Sequence, residues 1–221
     1  MGQTVLTKDQ EVALAIVGRD KDIAPLFYLS GGTALAAFYF YHRYSDDLDF
    51  FTDATDFPQF AVERIARDIQ QEIGAEKIEY QRLYDRRIFF FKKSGGDDLK
   101  IEFTAYPFAP VHPRVRHEGI LVDSLDDLAA NKLMALIDRV EAKDFVDLYF
   151  FLRENHVTVE RLRALVEQKF RLAINPIVLG SEFAKVRLVS HLPRMIKPLT
   201  PEELKDFFAD CAKQLRPDVL A

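Results

Sequence analysis

Asp47 and Asp49, in the run Ser45-Asp-Asp-Leu-Asp-Phe-Phe51, are the residues whose type and spacing speak most directly of chemistry. The run reads as a strand, on which side chains alternate, so residues two apart share a face. Both carboxylates then point one way while Leu48 and Phe50 turn to the core. Two carboxylates held together out of water repel each other, and a cation between them relieves the cost. Hard oxygen ligands of this kind suit Mg2+ or Mn2+. Asp-x-Asp also occurs by chance in ordinary loops, so the pair needs company.

Three other features supply it. Ser30-Gly31-Gly32-Thr33 stands where a short apolar strand, Leu26 to Ser30, meets a helix, Thr33 to Tyr41. Two glycines let backbone approach a ligand, and the N–H groups of a helix start attract phosphate. An isolated Gly-Gly is equally a plain tight turn, and this one is neither a Walker loop nor a dinucleotide fingerprint. In Lys100-Ile-Glu-Phe103 a single carboxylate, Glu102, interrupts an apolar strand. Beside the aspartate strand it would complete a triad; elsewhere it would face water at a sheet edge or pair with an arginine. Lys132 sits on an otherwise apolar helix surface, and the next helix carries Asp144 and Asp147 one turn apart on a shared face. Phosphoryl or nucleotidyl transfer uses these parts: carboxylates for two divalent ions about 3.5–4 Å apart, and backbone N–H groups with a lysine for a triphosphate.

The elements that must position these residues follow from hydrophobic periodicity. Helices are predicted over 8–19 and 57–73, and strands over 48–52, 77–83, 87–93, 99–106 and 120–122. The turn Ser94-Gly-Gly-Asp97 makes a hairpin of two of the strands. After Asp123 the pattern is helical: Ser124 caps a helix to about Val140, and others cover 142–153, 159–171, 176–188 and 201–215. Thr200 caps the last, with Pro201 in its first position. The expected fold class is α+β, a mixed sheet with flanking helices and then a C-terminal helical bundle. The division is expected near residue 120, giving an α/β domain over 1–120 and a helical domain over 121–221.

The 221 residues are about half apolar and 29% charged, which suits a packed, soluble chain. Cys211 is the only cysteine, which excludes an intrachain disulfide and a cysteine zinc cluster and fits a reducing cytoplasm. No apolar run reaches the roughly 20 residues that span a bilayer. The net charge of -5 argues against a basic nucleic-acid coat, but its distribution is uneven. Residues 45–60 carry Asp46, Asp47, Asp49, Asp53 and Asp56 and no Lys or Arg. The segment Arg161 to Lys197 carries eight basic residues against Glu167 and Glu182. It is either a solvated face or a track for RNA phosphates. The five histidines show no metal-ligand spacing, and His42 reads as a core or surface residue, so a metal-dependent hydrolase has little support.

The runs Leu29-Ser-Gly-Gly-Thr-Ala-Leu-Ala36 and Arg43 to Phe51, with Asn131-Lys-Leu133 and Lys143-Asp-Phe-Val-Asp-Leu-Tyr149, resemble the AbiEii/AbiGii-type toxin nucleotidyltransferases of the polymerase-beta-like superfamily. The resemblance implies a nucleotidyltransferase-like sheet domain. It implies Asp47, Asp49 and Glu102 as catalytic metal ligands for Mg2+ or Mn2+, with Ser45 as the serine before the pair. Gly31, Gly32 and Thr33 would form the glycine turn, where Gly-Ser is the commoner form. Lys132 would hold the nucleotide phosphates, and Asp144 or Asp147, with Asp147 favoured, would be the downstream aspartate. It implies a nucleoside triphosphate donor, an acceptor such as the 3′ end of tRNA met through the 161–197 stretch, and an antitoxin partner or a role in phage defence. The alternative is a nucleotide-binding or regulatory module that keeps the fold without the catalysis.

Overall fold

The computed structural model describes residues 4–215, and these form two compact units. One comprises residues up to 38 together with 45–124; the other comprises 39–44 together with the chain from Leu125. The chain therefore divides after Ser124, and a six-residue piece from the N-terminal half belongs with the helical unit.

The first unit is built on a seven-stranded mixed sheet. Its strands are β1 (Tyr28–Ser30), β2 (Asp47–Thr52), β3 (Lys77–Leu83), β4 (Arg86–Lys92), β5 (Leu99–Ala105), β6 (Val115–His117) and β7 (Ile120–Val122), in the spatial order β3-β4-β5-β2-β1-β7-β6. β2 lies antiparallel to β1 and parallel to β5, and β1 is parallel to β7. β3 with β4 and β4 with β5 are antiparallel hairpins.

One sheet face is apolar. Leu29, Leu48, Phe50, Ile101 and Phe103 are all essentially sealed from water. Phe50 stacks on Phe103 with centroids 5.3 Å apart, and Phe27 meets Phe103 edge-on at 5.0 Å. Helices α1 (Lys8–Arg19) and α3 (Gln59–Ile73) add to this core. α1 starts at a capping box in which Thr7 and Gln10 satisfy each other's backbone N–H groups. α3 buries Ala61, Val62, Ile65, Ala66, Ile69 and Ile73 at helical spacing and stops at Gly74, whose φ of 67° is left-handed.

Between β1 and β2 the expected single helix is divided. α2 (Gly31–Leu35) begins two residues earlier than the periodicity predicts, and a π-helical turn, Ala36–Phe40, follows. An extra residue in one turn leaves no mark on hydrophobic periodicity, so the sequence reads as one helix. The short β6 carries no alternation signal, because Val115 and Arg116 are both exposed.

The second unit contains α4 (Leu125–Asp138), α5 (Ala142–Glu154), α6 (Val159–Phe170), α7 (Pro176–Ala184) and α8 (Pro201–Gln214), with a 3-10 turn after α7. Phe208 of α8 receives Phe145 and Phe183 edge-on, each at 5.1 Å. Thr200 caps α8 through a capping box with Glu203, and Pro201 opens it. The piece 39–44 is fixed here by backbone hydrogen bonds: Tyr44 N–H donates to Arg194 O, and Ile196 N–H donates to His42 O. None of the described helices is long and apolar enough to cross a membrane.

Candidate active site

The polar face of the sheet carries the predicted carboxylates. β2 alternates half-buried and buried residues along its length, so Asp47, Asp49 and Phe51 share the face opposite Leu48 and Phe50. In the parallel β2–β5 pair Asp47 stands opposite Lys100, Asp49 opposite Glu102 and Phe51 opposite Thr104. On the other side Asp49 stands opposite Ser30 and Phe51 opposite Tyr28. Asp123, just past β7, donates its N–H to Leu29 O, and its carboxylate accepts from the Ser30 hydroxyl at 2.8 Å. A transverse row, Glu102–Asp49–Ser30–Asp123, thus crosses the sheet.

Cations of the protein itself meet this row. Lys100 Nζ lies 2.9 Å from Asp47 Oδ2 and 3.8 Å from Glu102 Oε2. Burial pulls the Lys100 ammonium toward neutrality, but its bond to Asp47 and the charges of Asp47, Asp49 and Glu102 outweigh burial and raise its pKa. Glu102 is 4% exposed. Arg86 binds it through Nε and, at 2.6 Å, through Nη2, and Thr104 donates to it at 2.8 Å. Burial would raise the Glu102 carboxyl, yet Arg86 and Thr104 hold it below its ordinary range and ionised. Glu102 therefore lies in register with Asp49 and is also the arginine partner that its sequence context allowed. Among the described residues no three His, Cys, Asp or Glu side chains are gathered as a metal cluster. The chemistry of the donor set nevertheless suits a hard divalent cation. The charges of Asp47, Asp49 and Glu102 all favour the Lys100 ammonium beside them, as they would favour such a cation.

The glycine turn adjoins the same carboxylates. Gly31 has φ +71°, and a Cβ there would fall 2.3 Å from Asp49 Oδ2. Only glycine lets the chain pass so close to that side chain while in a left-handed conformation. Ser30 precedes α2 but makes no side-chain cap, since its hydroxyl is used on Asp123. The Thr33 hydroxyl is buried and donates to the Asp47 carbonyl, which ties the helix start to the strand that carries the aspartates. The Ser45 carbonyl accepts from Gln10 Nε2 at 2.8 Å, anchoring the approach to β2.

Lys132, Asp144 and Asp147 come together in the helical unit. Asp147 is fully buried. Its two oxygens accept from His42 Nε2 at 2.8 Å, from Arg43 Nε at 2.7 Å and Nη2 at 2.8 Å, and from Lys132 Nζ at 2.7 Å. Lys132, 6% exposed, also reaches Asp144 at 3.0 Å, and Arg139 reaches Asp144 at 2.9 Å. Burial alone would raise the Asp147 carboxyl, but Arg43 and Lys132 hold it far below its usual value. The same cluster keeps Lys132 charged: burial opposes the charge, and Asp147 and Asp144 more than restore it. His42 goes the other way, because burial outweighs Asp147 and lowers its pKa. Neutral His42 then donates through Nε2, since an ionised carboxylate only accepts. Lys132 is here a shared partner of two carboxylates.

The basic stretch is also largely committed. Lys169 is buried against Asp127 at 2.7 Å, Arg161 meets Asp126 at 3.1 Å, and Lys185 and Lys197 pair with Glu182 and Glu154. Arg163 donates to the Ile174 carbonyl at 3.0 Å. Sequence reading named Lys100 and Ser30 only within their motifs and passed over Arg86, Asp123 and Arg114. Lys100 was accessible to it: Lys100, Glu102 and Thr104 alternate with apolar residues along β5 and so share the face of the aspartates. The arginines come from other strands and loops and carry no local signal.

A relative from Aquifex aeolicus (strain VF5), the uncharacterised protein aq_aa25, is 32% identical over 213 residues, covering 95% of this chain and 97% of its own. Among solved structures, JHP933 from Helicobacter pylori superposes with a TM-score of 0.59 at 21% identity, covering 96% of this chain and 94% of its own. A second H. pylori structure, provisionally assigned as a nucleotidyltransferase, also superposes at 0.59, with 20% identity and 96% and 97% coverage. These likenesses show that the chain shares the fold of both structures. The family model for the nucleotidyl transferase AbiEii toxin of type IV toxin–antitoxin systems matches residues 15–221, and the chain belongs to that family.

Proposed function

We propose that this protein transfers a nucleoside monophosphate from a nucleoside triphosphate to an RNA 3′ end, such as that of tRNA, in a reaction dependent on Mg2+ or Mn2+, as the toxin of a toxin–antitoxin or phage-defence pair. The observation that carries the reading is the β1–β2–β5 register, which sets Asp47, Asp49 and Glu102 on one face beside a glycine turn that touches Asp49. Asp47 and Asp49 would hold the metal ions, with Glu102, which Arg86 binds, as the adjoining third carboxylate. When bound, the metal lowers the pKa of the acceptor hydroxyl and neutralises charge on the triphosphate. Gly31 and Gly32 bring backbone N–H groups to the phosphates, and Thr33 and Ser45 fix the two ends of that approach. Lys100 pairs with Asp47 and lies 3.8 Å from Glu102, and a bound metal ion would take its place between them.

Lys132, Asp144 and Asp147 are assigned a positioning part within the helical unit, because each is buried and saturated by opposite charge. Lys132→Gln separates this from direct phosphate binding. The buried-cluster reading expects a loss of stability in proportion to any loss of activity. Weaker triphosphate binding at unchanged stability would return Lys132 to the phosphates.

The main test is Asp47→Ala. Its side chain is 38% exposed, so the fold should survive. Transfer from labelled triphosphates to RNA should fall at least about a hundredfold, equivalent to ~2.7 kcal/mol of transition-state stabilisation. Unchanged transfer would refute the assignment. Triphosphate binding that calorimetry finds indifferent to magnesium would favour the non-catalytic binding module instead.

A further inference from the structure

We infer that Phe51, Tyr106 and Phe108 form the seat for the base of the acceptor's 3′-terminal nucleotide; this rests on the transfer reading of the neighbouring carboxylates. The apolar residues of this sheet are expected on the opposite face, with Phe50 and Phe103. Phe51 instead shares the face of Asp47 and Asp49 and is only half-buried. Tyr106 and Phe108, also half-buried, continue the patch: the Phe51 and Tyr106 centroids are 4.9 Å apart, and those of Tyr106 and Phe108 4.8 Å. Tyr28 meets Phe51 edge-on at 6.1 Å and is itself covered by the Arg114 guanidinium at 3.5 Å. Arg114 is in turn clamped by Asp53 at 2.6 Å and Asp123 at 3.3 Å.

Direction along the strand decides which base belongs here. β1 runs antiparallel to β2 with Ser30 opposite Asp49, so the glycine turn continues toward the Asp47 end. Phe51 lies at the other end, one two-residue repeat beyond Asp49, about 7 Å by strand geometry. A triphosphate at the glycine turn leaves the Phe51 side to the acceptor. A nucleotide with its 3′-hydroxyl at Asp49 places its base a sugar's breadth away, over these rings. Aromatic side chains stack any base and are the usual means of holding unpaired RNA.

The test is fluorescence anisotropy of a labelled RNA trinucleotide with a free 3′-hydroxyl, in EDTA so that metal plays no part. Phe51→Leu and Tyr106→Leu remove the ring but keep apolar volume; each should weaken RNA binding about tenfold, ~1.4 kcal/mol. Phe51→Trp should retain it, and the thermal midpoints of all three should match the parent. Magnesium-dependent triphosphate binding should be unchanged in the leucine variants. Equal RNA affinity in parent and leucine variants, a loss confined to triphosphate binding, or no RNA binding by the parent would each overturn the inference. RNA binding that depends on the rings, in a protein that transfers nothing, would sink the transfer reading and leave this seat standing.

Discussion

Asp47 and Asp147 are both aspartates beside a lysine, and the two units treat them in opposite ways. Asp47 is 38% exposed at the side chain, meets the Lys100 ammonium, and shares its sheet face with Asp49 and Glu102. There the three carboxylates share Lys100 and Arg86. Asp147 is sealed from water and saturated by Arg43, Lys132 and His42, so cationic and donor groups outnumber each carboxylate oxygen. A cluster with surplus negative charge and access to solvent can take in a divalent ion. The buried cluster ties α4, α5 and the segment 39–44 together through its ion pairs. Chemical type and spacing do not separate the two cases; the balance of charge and the burial do.

Removing one member of the buried cluster should have the largest effect. Asp147→Ala leaves Arg43 and Lys132 buried without their main counter-charge, a loss of about 3–5 kcal/mol. Urea denaturation should show it, and a loss below about 1 kcal/mol would mean that the cluster is not structural. Asp49→Asn breaks the comparison from the other side: transfer activity should fall at least about a hundredfold while the urea midpoint stays near the parent's. A fall in stability as large as that of Asp147→Ala would erase the contrast.

Gly31→Ala should lower both properties. The new methyl group meets Asp49 Oδ2 at 2.3 Å, and alanine at φ +71° costs roughly 1–2 kcal/mol of its own. If this variant is as active and stable as the parent, the turn does not seat against Asp49.

Acid should act on the helical unit in two stages. His42 has a lowered folded-state pKa, so below about 6.5 the unfolded chain takes up a proton that the folded chain resists, and stability declines with falling pH. Asp147 also has a depressed folded-state pKa. Its contribution is complete above the unfolded value of about 3.9 and is lost as pH falls through the lower folded value. Urea midpoints from pH 7.5 to 3 should fall first gently, then steeply, and His42→Gln should flatten the first stage. A flat parent curve between pH 7.5 and 5.5 would contradict the burial argument for His42. The smallest effect belongs to Thr200→Ala, which removes the α8 cap and should cost about 1 kcal/mol without touching transfer.

Much of this site was legible before any coordinates. Alternation placed Asp47 and Asp49 on one strand face, and the double glycine after a short strand marked the turn that meets Asp49. The hairpin at 94–97, the helical second half and the capped α8 were equally plain, because each rests on local periodicity or local hydrogen bonding. The π turn after Leu35 and the short β6 were not, since neither disturbs a hydrophobic pattern. The basic run from 161 to 197 looked like an open track, and only the fold revealed how many of its charges are answered by Asp126, Asp127, Glu154 and Glu182.

Sequence by itself determined which residues can do chemistry and which neighbours along the chain share a face with them, because φ/ψ periodicity depends only on local steric and hydrogen-bonding preferences. Tertiary structure alone decided that Glu102 falls opposite Asp49, that Arg86 claims its carboxylate, that the 39–44 segment delivers His42 and Arg43 to Asp147, and that Phe51 lies beside the carboxylates with Tyr106. Each of these pairs residues distant in sequence, and such pairings are set by strand register and core packing, which no short window of residues contains.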